Sequence, residues 1–168
     1  RIKNTFEPEH PGTLISKNYI SKETKVEIVS GTDKVLAIEV HDPMMVGEVG
    51  YDLKVMQVFA KHDVSYILKT TNANCITMVV WDKQKSKDLI KELKDEVVVK
   101  EAAIVCCIGT NIAHPGILCK AAQALSDSGV NIDCFAQSLR QVNMQFVIER
   151  GDYSKAVVAL NNALCVKK

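Results

Sequence analysis

Aromatic residues make up only 5% of this 168-residue chain, and 21 lysines and arginines nearly balance 20 aspartates and glutamates, for a net charge of +1. Few rings leave few platforms for stacking bases. A neutral balance leaves no electrostatic footprint for nucleic acid or an acidic membrane, so neither is expected as a partner. No apolar run approaches the roughly 20 residues of a membrane-spanning helix. No C-x-x-C pair occurs among Cys75, Cys106, Cys107, Cys119, Cys134 and Cys165, and most of these lie in apolar runs. That excludes the usual zinc and redox spacings and suggests reduced core cysteines in a cytoplasmic protein. The phosphate-loop, zinc-protease and nucleophile-elbow patterns are missing too. His41-Asp42 and His114-Pro115 have no nucleophile at a recognised spacing and read as element ends. No catalytic residue, metal site or cofactor is expected in this stretch.

What is present is an ordinary globular composition, 47% hydrophobic and 24% charged. Its organising stretch is 35–51, VLAIEVHDPMMVGEVGY. Residues 35–40 read as a buried strand, stopped at His41-Asp42-Pro43 because proline donates no N–H. A turn bracketed by Gly47 and Gly50 then opens a helix predicted over 48–61, with Val49, Leu53, Met56 and Ala60 facing inward. The same order returns at 102–118, AAIVCCIGTNIAHPGIL, between Gly109 and Gly116. A strand, a glycine turn and a helix N-terminus leave unbonded backbone N–H groups, which suit a carboxylate or phosphate. Glycines before helices also serve simply as turn formers.

The remaining elements follow in order. A strand at 25–30 ends in a predicted turn at Gly31-Thr32-Asp33. Strands at 64–70 and 75–81 flank an Asn72-Ala73-Asn74 turn. A helix at 84–94 presents Leu89, Ile90 and Leu93, with Lys94 and other lysines opposite, before a short strand at 97–99. The second series has strand 103–108, helix 116–128 (Leu118, Ala121, Ala122 and Leu125 inward), strands 130–136 and 143–149 around Leu139-Arg140-Gln141, and helix 153–165. Landmarks lie 66 to 67 positions apart: Val35 with Ala102, Val64 with Val130, Val80 with Val147. This is an internal duplication of a β-α-β-β-α unit. The second copy lacks a fourth strand while the first is preceded by a surplus one. The expected fold is therefore α+β: two ferredoxin-like (βαββαβ) units, interlaced through 25–31, with antiparallel sheets and helices on one face. The units are placed at 33–100 and 101–168, after a loop-like tail at 1–16. Polar residues Lys69, Thr70, Asn72 and Asn74, and Gln137, Ser138, Arg140 and Gln141 in the second copy, are expected beside the glycine turns.

A tandem pair of such units with ligand turns resembles the ACT regulatory domains of amino-acid metabolism. RIKNTFEPEHPGTLIS (1–16) looks like the tail of an aspartate kinase catalytic domain, and GEVGYD (47–52) and FAQSLRQVNMQFVIE (135–149) resemble the aspartokinase ACT pair, closest to the ectoine-pathway form. Arg1 is not an initiator methionine, in keeping with a chain that continues upstream. The resemblance implies an allosteric domain that binds an amino-acid effector, threonine or lysine, and forms a homodimer through its ACT units. It also implies an attached kinase domain that phosphorylates L-aspartate using ATP and Mg. The implied effector site comprises Met45, Val46, Gly47, Glu48, Val49, Gly50 and Tyr51 with Ile67, Leu68 and Lys69. In the second unit it comprises Asn111, Ala113, His114, Gly116, Gln137 and Ser138. Lysine-sensing members carry an acidic residue where this chain has Ile67. A structural dimerisation module without effector is the alternative, and a self-contained enzyme on a ferredoxin-like fold a distant third.

Overall fold

The computed structural model describes residues 1–16, 22–93, 96–140 and 142–165. Gln141 and Lys94, placed above at a hairpin and a helix end, lie outside the described residues. Two long strands carry the architecture: β1 (Lys25–His41) and β4 (Glu96–Thr110) run antiparallel along most of their length. Around them lie α1 (Tyr51–Lys61), β2 (Tyr66–Thr71), β3 (Cys75–Trp81), α2 (Gln84–Glu92), α3 (Ile117–Asp127), β5 (Cys134–Gln137), β6 (Asn143–Glu149) and α4 (Tyr153–Leu164). One six-stranded sheet results, in the order β2-β3-β1-β4-β6-β5, with every pairing antiparallel.

Each long strand serves both copies. The second half of β1 pairs with β3 and with the first half of β4 (Val35↔Trp81, Ala37↔Lys100), making the first unit β2-β3-β1-β4. Its first half pairs with the end of β4 (Val26↔Gly109, Ser30↔Cys106), giving the second unit its fourth strand beside β4, β6 and β5. The two ferredoxin-like units are interlaced: the first uses its own stretch of β4, whereas the second is completed by the first half of β1, which precedes the first unit in sequence.

The predicted turn at 31–33 is absent. The chain continues as strand and absorbs the extra residue as an irregularity between Thr32 and Val35. Gly31 sits where a Cβ would lie 2.0 Å from the Ile104 carbonyl oxygen, so its glycine answers close backbone approach rather than a reversal. The short strand at 97–99 and the strand at 103–108 are likewise one element, β4. Gly109, read as the start of a turn, is a residue of that strand, its Cβ position 2.1 Å from the Lys25 carbonyl oxygen.

Helices α1 and α2 cover one cluster (Leu36, Ile38, Val40, Phe59, Met78, Leu89), and α3 and α4 cover another (Val105, Leu125, Met144, Phe146, Leu160). Alternation along β4 puts both helical layers on the same face, since Val97, Val105 and Cys107 all point that way. The opposite face carries a third cluster shared by both units: Val35, Leu68, Val79, Ala102, Ile104 and Val147. The edge strands β2 and β5 come into contact there, so the sheet is strongly curled.

Helix α1 differs from expectation in phase. It starts at Tyr51, and Tyr51, Val55 and Phe59, at i, i+4 and i+8, form its buried stripe. Val49 is 99% exposed, Leu53 62%, and Ala60 is exposed. Leu118 on α3 is also 40% exposed, whereas Ala121 and Leu125 are buried as expected. Among the described residues no helix is long and apolar enough to cross a membrane.

Candidate functional site

Each copy reaches its helix through a left-handed glycine. Gly50 (φ 85°) and Gly116 (φ 92°) are the N-cap residues of α1 and α3, and neither helix receives a side-chain cap. A side chain in the Gly50 or Gly116 conformation would meet nothing within 4 Å. Both turns thus leave open space beside the glycine at their helix N-termini, where the helix dipole favours an anion.

The first turn is built in two steps. Asp42 follows the end of β1, and its Oδ1 accepts from the Met44 N–H at 2.8 Å, capping a short 3-10 turn at Pro43–Met45. Met45 is tucked into the core at 8% exposure and anchors the loop. The chain then reverses through Gly47 (φ 82°) and Gly50, with the Glu48 N–H donating to the Met45 carbonyl at 3.1 Å. Val46 and Val49 stand in solvent, while Tyr51 turns inward at 6% exposure. Glu48 forms an ion pair with Lys54 one turn into α1.

Of the β2 residues, Lys69 is the one that reaches this turn. Its ammonium bonds the carboxylate of Asp52, in the first turn of α1, and the lysine side chain is only 19% exposed. Leu68 is buried and Ile67 half-buried in the third cluster, on the face away from the helices. The sequence reading did not single out Asp52. The signal was an acid just inside a helix N-terminus, two residues after a glycine. The Met45–Tyr51 turn and Lys69 therefore form one locale, and Ile67 and Leu68 line another.

The second turn is more tightly tied. Asn111 is left-handed (φ 51°), and its Nδ2 donates to the Lys22 carbonyl at 3.3 Å. Ile112 plugs the core below at 1% exposure, while Ala113, His114 and Gly116 are exposed. The Gly109 N–H donates to the Val142 carbonyl at 2.9 Å, which draws the β5–β6 hairpin toward the turn. Gln137 and Ser138 are exposed at that hairpin, and the Ser138 hydroxyl donates to Asn143 Oδ1 at 3.0 Å. No charged pair like Lys69–Asp52 occurs in the second locale among the described residues.

The six cysteines carry free thiols in very different settings. Burial pushes Cys107 up to about 12 and Cys134 up to about 11, whereas Cys119 lies exposed on α3. Among the described residues no group of three or more His, Cys, Asp or Glu could hold a metal ion.

A model of the ACT domain family matches residues 105–164. The chain is 41% identical over 170 residues to aspartate kinase Ask_Ect of Stutzerimonas stutzeri, spanning 98% of this chain and 36% of that protein. It thus spans about a third of the length of that curated relative. The aspartate kinase of Clostridium acetobutylicum, described as an allosteric enzyme, superposes with a TM-score of 0.82 at 27% identity, over 96% of this chain and 40% of that one. The ligand-free regulatory subunit of aspartate kinase from Thermus thermophilus shares the fold, with a TM-score of 0.72 at 19% identity over 85% of this chain and its own entire length. With the interlaced fold and the paired glycine turns, these likenesses support a regulatory ACT region of the kind found in aspartokinases.

Proposed function

We propose that this region senses an amino acid at the first glycine turn and transmits occupancy to an attached aspartate kinase. The observation that carries this reading is the uncapped N-terminus of α1 with Lys69 and Asp52 beside it. The backbone N–H groups of Gly47, Val49 and Gly50 suit an α-carboxylate, and the Glu48 and Asp52 carboxylates suit an α-ammonium. Lys69 already fills the cationic place at this turn, and Ile67, which stands where lysine-sensing members carry an acid, is apolar and packs on the other face. A second, effector-borne ammonium would need a paired anion that Ile67 does not supply. Threonine therefore fits better than lysine.

A homodimer through ACT units completes the reading. Met44, Val46, Val49 and Leu53, all more than 60% exposed, ring the same turn and suit burial against a second copy. That patch also supports the alternative of a dimerisation module with no effector. The kinase proper, with ATP, Mg and L-aspartate, is assigned to the rest of the parent protein, and residues 1–16 to the tail of that catalytic domain. Regulation follows as population shift: an effector that prefers one dimer arrangement biases the kinase by its difference in affinity and no more.

A thermal-shift series with threonine, lysine and methionine, read beside sedimentation, tests the proposal. Stabilisation by threonine supports sensing, whereas a stable dimer indifferent to all three supports the structural alternative.

A further inference from the structure

At the end of the first unit remote from the glycine turn, a cavity of about 340 Å³ opens between the α1–β2 loop and the β3–α2 junction. Its size falls in the range of roughly 300–1,000 Å³ that holds small molecules. Trp81, the single tryptophan of the chain, lines it and is 44% exposed at the end of β3. Two residues on, Lys83 is exposed. Among the described residues, neither the Lys83 ammonium nor the Trp81 indole N–H has a protein partner. Lys85 crosses the mouth to Asp63 at 2.6 Å, with both side chains well exposed (64% and 88%). Asp63 holds a left-handed backbone (φ 52°) that presents its carboxylate there. Such an exposed pair contributes little to stability and exchanges readily for another anion. Nearby Asp82 is already engaged by Arg150 and Lys87. The cavity's own lining charges, Lys83 and Lys85 against Asp63, leave it net positive.

Trp81 at the rim, an uncommitted ammonium and a weakly held second one together define a ligand class. We infer that this cavity binds a small anion carrying a flat ring, either a nucleoside monophosphate or an aryl carboxylate. The ring stacks on Trp81 and the anionic group takes Lys83 and displaces Asp63 from Lys85. The site is separate from the glycine turn and does not depend on the amino-acid reading.

Trp81 is its own reporter. Fluorescence titration of the whole chain uses AMP and benzoate, with adenosine and inorganic phosphate as ring-only and charge-only controls. AMP or benzoate should quench saturably, at least about tenfold more tightly than either control, because ring and charge act together. The tighter of the two identifies the source of the anion. Lys83→Met should weaken that ligand about tenfold at unchanged melting temperature, and Asp63→Asn should tighten it by removing the competing carboxylate. Gly50→Val should leave it unaltered. Adenosine equal to AMP, an unaffected Lys83→Met variant, or no saturable quench by AMP or benzoate at millimolar concentration would overturn the inference.

Discussion

Asp82 and Arg150 hold the same position in the two copies, each the residue after its unit's third strand, and they bind each other: Arg150 Nη2 lies 3.0 Å from Asp82 Oδ2. The same guanidinium donates to the Val35 carbonyl at 2.9 Å and approaches Glu101 at 3.1 Å, so it grips β1, β4 and the end of β3 at once. Duplication first made these positions alike, and opposite charges now clasp the units together. The pair is partly buried, at 18% and 27% exposure. Arg150→Met is expected to cost about 1.5–3 kcal/mol, the range for hydrogen bonds to charged groups, measured by urea denaturation. A cycle with Asp82→Asn should show coupling between the two substitutions.

The clasp also sets a pH dependence. Hydrogen bonding to Arg150 holds the Asp82 carboxyl below its ordinary value. Its stabilisation is therefore fully present above the unfolded-state value of about 3.9 and is lost as pH falls through the lower folded-state value. Stability of the native chain should show an acid-side decline over that window, and Asp82→Asn should remove this component. An unchanged profile in the variant would contradict the assignment.

Two apolar residues of α1 separate packing from exposure. Phe59 is 3% exposed, and Phe59→Ala should cost about 3–5 kcal/mol. Leu53, 62% exposed, should cost less than about 0.5 kcal/mol in the folding of one chain when cut to alanine, but should weaken self-association. Denaturation and sedimentation read the two effects independently.

Thiol reactivity should follow burial. At mildly alkaline pH a thiol reagent is expected to label exposed Cys119 rapidly, while Cys107, pushed up to about 12 in the core, reacts only on unfolding. Mass spectrometry of the labelled peptides gives the order.

Much of the fold was legible because duplication repeats its signals: Val35 against Ala102 and Val80 against Val147 already marked equivalent strands. The crossover of 25–31 followed from a strand missing in one copy and surplus in the other. The glycines at 31 and 109 misled because close approach of paired backbones and chain reversal both select glycine. The face of α1 misled for another reason. Val49 and Leu53 match a helical period as well as Tyr51, Val55 and Phe59 do, and pattern alone cannot choose between two apolar stripes. At the site, the turn could be read from Gly47 and Gly50. The Lys69–Asp52 pair could not, because it joins residues 17 apart that only the folded sheet brings together. Arg150 was invisible for the same reason, reaching Val35 across 115 residues.

Calorimetric titration of the whole chain and of its Gly50→Val variant with threonine and with lysine bears most directly on sensing at the first turn. Gly50 adopts a left-handed backbone in open space, so valine there costs about 1–2 kcal/mol of backbone strain without disturbing a packed neighbour. Saturable heat with threonine in the native chain, absent in a variant that still folds and dimerises, is the expected result. No heat with either amino acid, or heat undiminished in Gly50→Val, would contradict it.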